Sequence, residues 1–261
     1  MQENNSIKNQ SVERTFQIIE IMAADRGPMR LLDIAGKAKL PSSTTLRFLK
    51  TLMFYHYVRQ DPATLRYSLS LKFCQISSMI SSQFSIRDIV RPYLIELSNR
   101  CQESTCLAQE DDMTVLYIDS VDGPDNMLKT FQRIGKRALL HSTGVGKLLL
   151  LNYDERQLDN LITKYGLPSI TPNTITKKED LINELCKIRT NDYALDDEEC
   201  ELGARCLAAP IRDYTGNVIA GISVSGPTNR MTMKKIDEIK SIIKDIAEEI
   251  SAALGFEKNQ A

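Results

Sequence analysis

The sequence predicts an α+β chain in two parts: an N-terminal winged helix-turn-helix and a C-terminal domain on one antiparallel sheet, joined by a linker helix. Three observations carry this. Residues 31–69 read as two short helices around a tight turn, followed by a two-stranded hairpin. Beyond residue 105, short strands come first, helices follow and a hairpin comes late, the order of an α+β domain. Charge divides in the same place. Residues 1–70 carry 10 Lys and Arg against 6 Asp and Glu, a net of +4, and the remainder carries 23 against 28, a net of −5. A basic head on an acidic body suits nucleic-acid contact confined to the N-terminal part.

Each element has a local reason. The stripe Val12, Phe16, Ile19, Ala23 predicts a first helix over 12–23, buried beneath the motif. Leu32, Ile34, Ala35 and Ala38 fit one face of a second helix, which Lys39-Leu40-Pro41 ends. Ser42 then reads as the N-cap of a third helix, its hydroxyl available to an orphan N–H. Leu46, Leu49, Leu52 and Met53 are expected to bury, leaving Ser43, Thr44, Arg47 and Lys50 outside. Residues 56–60 and 65–69 alternate as strands about the turn Asp61-Pro62-Ala63-Thr64. Phe73, Ile76, Met79 and Ile80 predict a linker helix over 71–83, and a further helix spans 86–101. The domains expected are thus 1–70, 71–85 and 86–261.

In the last of these, strands are expected at 105–109, 114–120 and 127–130, then helices at 143–151, 154–164 and 178–190. Strands resume at 193–196, 204–212 and 217–224, with Asp213-Tyr-Thr-Gly216 as a hairpin turn, and a helix over 232–254 closes the chain. The sheet is expected to carry helices on one side and long loops on the other, a common cup for small molecules.

Several classes are excluded. No apolar run approaches the roughly 20 residues a membrane span needs, and the first residues lack a signal-peptide core, so a cytoplasmic protein is expected. The six cysteines form no CxxC pair and read as reduced thiols. No GxSxG, HExxH or GxxxxGKS motif occurs. His56 and His141 are the only histidines, and His141 reads as a capping or packing residue. Gly144-Val-Gly-Lys147 echoes a phosphate loop without its full spacing. An enzyme is therefore not expected, and no cofactor is implied.

The acidic run 196–206 stays open. It fits a loop lining a ligand pocket with Asp196 and Cys206 inward, a metal site from Asp196, Cys200 and Cys206, or a plain solvated loop. In a helix-turn-helix the second helix of the motif enters the major groove, where hydroxyls bond bases or phosphates and Arg grips guanine.

Taken together, five segments resemble the isocitrate lyase regulator (IclR) family of bacterial transcription factors. They are Leu40-Pro-Ser-Ser-Thr44 with Arg47, Leu140-His-Ser-Thr-Gly-Val-Gly-Lys147, Tyr193-Ala-Leu-Asp-Asp-Glu-Glu199, Gly203-Ala-Arg-Cys-Leu-Ala-Ala-Pro-Ile211, and Ile222-Ser-Val-Ser-Gly-Pro227. The resemblance runs over about residues 11–254. It implies a GAF-like effector domain that binds a small metabolite, often a carboxylate, and homodimers or dimers of dimers on double-stranded operator DNA. It also implies a pocket in which Gly144 and Val145 offer backbone N–H groups to an anion, with Asp196, Cys206, Ser223 and Ser225 polar and Met127, Ala138 and Ala204 apolar. An acidic Asp196 in such a pocket favours a hydroxy or sugar acid.

Two departures stand out: Ser42 where the family usually has a basic residue, and Lys39 where Gly commonly precedes Leu-Pro. Base reading is therefore expected to lean on Ser43, Thr44, Thr45 and Arg47 beside Ser42. Lys39, Lys50, Arg59 and Arg66 remain for phosphates. The function expected is a metabolite-controlled repressor of a catabolic operon.

Overall fold

The computed structural model describes residues 9–25, 27–81, 85–123 and 134–257. Packing divides the chain between Phe84 and Ser85.

In the first unit α1 (Gln10–Ala24) starts at Asn9, whose side chain accepts from the N–H groups of Ser11 and Val12. The period expected for this helix is right and the phase is not. Ile18 and Met22 enter the core, Ile19 is half-buried, and Val12, Phe16 and Ala23 are exposed. The helix has two apolar edges, and tertiary contact selects the one sequence reading did not. Leu32 is likewise exposed on α2 (Leu31–Ala38), while Ile34, Ala35 and Ala38 bury.

Pro41, not Ser42, caps α3 (Ser42–Phe54), and no side chain bonds the open N–H groups there. Pro at this place presets the backbone without needing a donor. Leu49 and Leu52 are buried, Leu46 and Met53 half-buried.

The hairpin β1 (Val58–Gln60) and β2 (Tyr67–Leu69) pairs Val58 with Leu69 and Gln60 with Tyr67. It is shorter than expected because His56 and Leu65 adopt left-handed φ of 64° and 56°. The turn is held by the Asp61 carboxylate, which accepts from Ala63 N, Thr64 N and Thr64 Oγ1. α4 (Lys72–Ser81) is fastened to the wing: Lys72 Nζ donates to Tyr55 O and lies 4.8 Å over the Tyr57 ring.

The second unit is a six-stranded antiparallel sheet in the order β5-β4-β3-β8-β7-β6. Its strands are β3 (Ser104–Asp111), β4 (Thr114–Val121), β5 (Arg137–Leu139), β6 (Ala194–Asp197), β7 (Ala204–Arg212) and β8 (Val218–Pro227). β5 was not anticipated; the strand expected at 127–130 lies outside the described residues. Helices pack on both faces rather than one. α5 (Ile86–Cys101) and α9 (Met233–Ala253) cover one face. The other meets α6 (Gly144–Leu149), α7 (Glu155–Tyr165) and α8 (Lys178–Asn191). The cue lay in the central strands: Leu207 through Ile211 are buried without alternation, as in sheets covered on both sides.

α6 begins one residue later and ends earlier than expected, passing into a 3-10 turn at Leu150–Asn152. It lies close on the sheet. A Cβ on Gly144 would stand 3.1 Å from Ala208 Cβ, and one on Gly146 only 2.3 Å from Leu140 O. That backbone oxygen cannot retreat. Gly146→Ala is expected to destabilise the second unit by about 3 kcal/mol, as overpacking does. Thermal or urea unfolding would show it, and an unchanged midpoint would disprove the close approach.

Candidate nucleic-acid interface and ligand cavity

On α3, Ser43, Arg47 and Lys50 recur at helical spacing and all are exposed. Ser42 and Thr44 beside them are half-buried. Thr45 is a correction: it is fully buried, and its Oγ1 donates to Pro41 O at 3.2 Å. One residue beyond Thr44, the helix has turned it about 100° toward the core, so it cannot read bases.

The same exposed edge continues to Phe54, 76% exposed, which meets Tyr55 edge-on at 5.1 Å. Sequence reading missed this pair, although Phe54 follows Arg47 by seven residues. Lys39 is exposed at the left-handed end of α2, with φ 52° and ψ 40°. A non-glycine residue held there costs about 1 kcal/mol or more. In the wing, Arg59 is exposed and donates to Ser68 Oγ at 3.0 Å. Arg66 is half-buried and donates to Pro28 O at 3.2 Å, so part of its fork is already used.

In the second unit a cavity of about 620 Å³ opens beside the first turn of α6. Ala138, Gly144, Val145, Asp196, Ala204, Cys206, Ser223 and Ser225 all line it. Met127 lies outside the described residues. Strand register brings the polar members together: Asp196 stands opposite Cys206, Cys206 opposite Ser225, and Cys106 opposite Ser223. Tyr117, Lys136, Arg137, Ile170, Cys200 and Arg205 also line it. Cys200 lies in the acidic run and Arg205 in the Gly203–Ile211 segment, whereas Tyr117, Lys136, Arg137 and Ile170 went unnoticed because they come from strand pairings and loops with no motif of their own.

The floor is polar and mostly uncharged. Asp196 is buried, and its Oδ1 accepts from Glu199 N at 2.8 Å and Cys200 N at 3.2 Å. Burial outweighs those two donors and pushes its carboxyl up to about 6. Desolvation pushes the thiols of Cys200 and Cys206 up to about 11 and about 12, and the Tyr117 phenol well above its ordinary value. Thiols so placed are held protonated by burial and are poor nucleophiles. Among the described residues no three His, Cys, Asp or Glu side chains converge to hold a metal ion. Thr143 Oγ1 caps α6 by accepting from Gly146 N at 3.1 Å. The N–H groups of Gly144 and Val145 belong to the first turn, which an α-helix leaves without internal acceptors.

Lys147 is not a phosphate ligand. It is fully buried, and its Nζ donates to Leu195 O at 2.6 Å and Glu199 Oε1 at 2.5 Å. The glycines before it serve close packing on the sheet. His141 is buried, with Nε2 3.2 Å from Pro168 O, and desolvation lowers its pKa.

Comparison with known proteins bears on both units. The model of the IclR helix-turn-helix domain matches residues 11–62, and that of the bacterial transcriptional regulator IclR C-terminal region matches 79–252. The HTH-type transcriptional regulator XynR of Escherichia coli is 32% identical over 247 residues, covering 95% of this chain and 98% of XynR. The transcriptional repressor IclR of Escherichia coli is 31% identical over 248 residues, covering 94% and 90%. The crystal structure of Thermotoga maritima IclR superposes with a TM-score of 0.62 at 32% identity, covering 94% of this chain and 99% of that one. No helix of the described residues is long and apolar enough to cross a membrane.

The Asp196 environment generates a pH prediction. Its carboxyl holds a proton more tightly folded, at about 6, than unfolded, near 3.8. Below about pH 4 both states are protonated and the group is neutral to stability. As pH rises toward 6 the unfolded chain ionises first, so stability falls, and above 6 the full penalty persists. Two pK units correspond to roughly 3 kcal/mol. Asp196→Asn, which keeps the amide-accepting oxygen, is expected to melt higher than the wild type at pH 7.5, with the gap closing toward pH 4. Equal melting temperatures at pH 7.5 would contradict this account.

Proposed function

The chain belongs to the IclR family of bacterial transcriptional regulators, and on that premise we propose a metabolite-controlled repressor of a catabolic operon. The α3 edge of Ser43, Arg47 and Lys50 enters the major groove of operator DNA, flanked by Ser42 and Thr44. Lys39, Arg59 and the free part of Arg66 meet phosphates. A small hydroxy-carboxylate, such as a sugar acid, occupies the cavity of the second unit. The observation that supports this most is the cavity floor: hydroxyls, protonated thiols and one carboxyl in a single strand register. Such a set can hydrogen-bond a polyhydroxy ligand, and it offers no activated nucleophile.

The reading divides the chain into a DNA-binding domain over 1–70, a linker helix over 71–85 and an effector domain over 86–261. It works as a homodimer or a dimer of dimers in the cytoplasm. The effector acts by binding the DNA-competent and DNA-incompetent states with different affinity. Catalysis on the second unit is the weaker alternative, because neither histidine lines the cavity.

Two experiments test the DNA side. Duplexes from the region upstream of the chain's own coding sequence, titrated by fluorescence anisotropy, are expected to bind with affinity that falls steeply with salt. Arg47→Ala is expected to lose about 1–3 kcal/mol. Salt-independent binding, or full affinity in the variant, would refute this interface.

Lys39→Gly separates strain from contact. It is expected to raise the stability of the first unit by about 1 kcal/mol while weakening DNA binding and flattening the salt dependence. A variant that gains stability with undiminished affinity would remove Lys39 from the interface.

A further inference from the structure

The cations on the cavity wall are not equivalent. Arg137 is committed to Asp111, with further bonds to Asp111 O at 2.8 Å and Thr114 Oγ1 at 2.7 Å. Arg205 is committed to Asp197 at 2.6 Å and to Met231 O at 2.6 Å. Lys136 lines the same cavity, is exposed to it, and has no acidic partner among the described residues. Its backbone is fixed: Lys136 O accepts from Tyr117 N at 3.1 Å, and the neighbouring Gly135 N donates to Tyr117 O at 2.8 Å. Tyr117 lines the cavity as well, so the root of the lysine is anchored to the wall.

Two carboxyls share the wall. Asp196 has one oxygen taken by backbone amides. Glu201 is exposed, and it acts on the Cys200 thiol with sign opposite to Lys136. The cavity is thus bipolar: among the described residues, one ammonium without a carboxylate partner, and a floor of acceptors and hydroxyls.

We propose that Lys136 determines the cavity's preference for an anionic ligand over a neutral one of the same shape. The ammonium meets the ligand carboxylate, and the ligand hydroxyls reach Asp196, Ser223 and Ser225. The carboxylate requirement then resides in a side chain rather than only in the backbone at the start of α6. This rests on the effector reading above and goes further, by assigning charge selection to one residue.

Isothermal titration of the full chain with matched acid and alcohol pairs tests it: D-gluconate and D-sorbitol, D-galactonate and galactitol, L-lactate and 1,2-propanediol. The wild type is expected to prefer the acid of at least one pair. Lys136→Gln is expected to weaken acid binding about five- to tenfold, on the order of 1 kcal/mol, leaving alcohol binding unmoved. Lys136→Arg is expected to restore most of the loss. An acid preference that survives Lys136→Gln overturns this role and leaves the effector reading standing. Equal loss of acid and alcohol reveals a merely structural lysine and also overturns it. No acid binding by the wild type overturns the effector reading and this inference together.

Discussion

The second unit depends on one buried ammonium. Lys147 has no exposure, and removing a charge from water costs several kcal/mol unless partners replace the solvent. The contact joins three pieces of chain: α6 carries the lysine, β6 offers Leu195 O, and the following loop offers Glu199. The pair therefore locks α6 and that loop to the sheet edge, and both border the cavity. Glu199 is held imperfectly. Its carboxyl is raised by burial, and its Oε2 has no partner among the described residues. The arrangement has little slack, because Gly144 and Gly146 let α6 sit where no larger residue could.

Against that rigid strut, the cavity floor follows from strand register. β6, β7, β8 and β3 lie side by side, so Asp196, Cys206, Ser225 with Ser223, and Cys106 form a polar row across four strands. Neighbours in the row bond one another, as in the Cys106–Ser223 contact at 2.9 Å. Burial keeps the thiols protonated, so the row offers hydrogen bonds rather than reactivity. Asp196 is the exception, a carboxyl kept dry at a cost to stability, and such departures from optimal packing gather where binding occurs.

The first unit shows the same pattern on a smaller scale. Lys39 occupies a left-handed position that suits glycine, between α2 and α3. The turn it makes lets Lys39 N and Leu40 N donate to Gly36 O and Ala35 O, closing the end of α2. The buried Thr45 has the opposite character: its hydroxyl is turned inward onto Pro41 O, and it stabilises the start of α3.

The sequence by itself determined the element order, the helix-turn-helix with its wing and the antiparallel class of the second unit, and eight of the nine residues it singled out for a ligand line one cavity. These were legible because period, turn chemistry and family motifs are local in the chain. What only the tertiary structure decided was phase and partnership. α1 buries Ile18 and Met22 rather than Val12 and Phe16 because helical periodicity reports that one side is apolar, not which of two edges meets the core. Thr45 left the reading face because adjacent residues on a helix differ by about 100°. Lys147 resembled a phosphate ligand and proved a strut because its partners, Leu195 and Glu199, lie about fifty residues away. Lys136 carries no motif; it stands apart only because the two arginines on the same wall are already paired. A buried charge is defined by what surrounds it, and that exists only once the chain has folded.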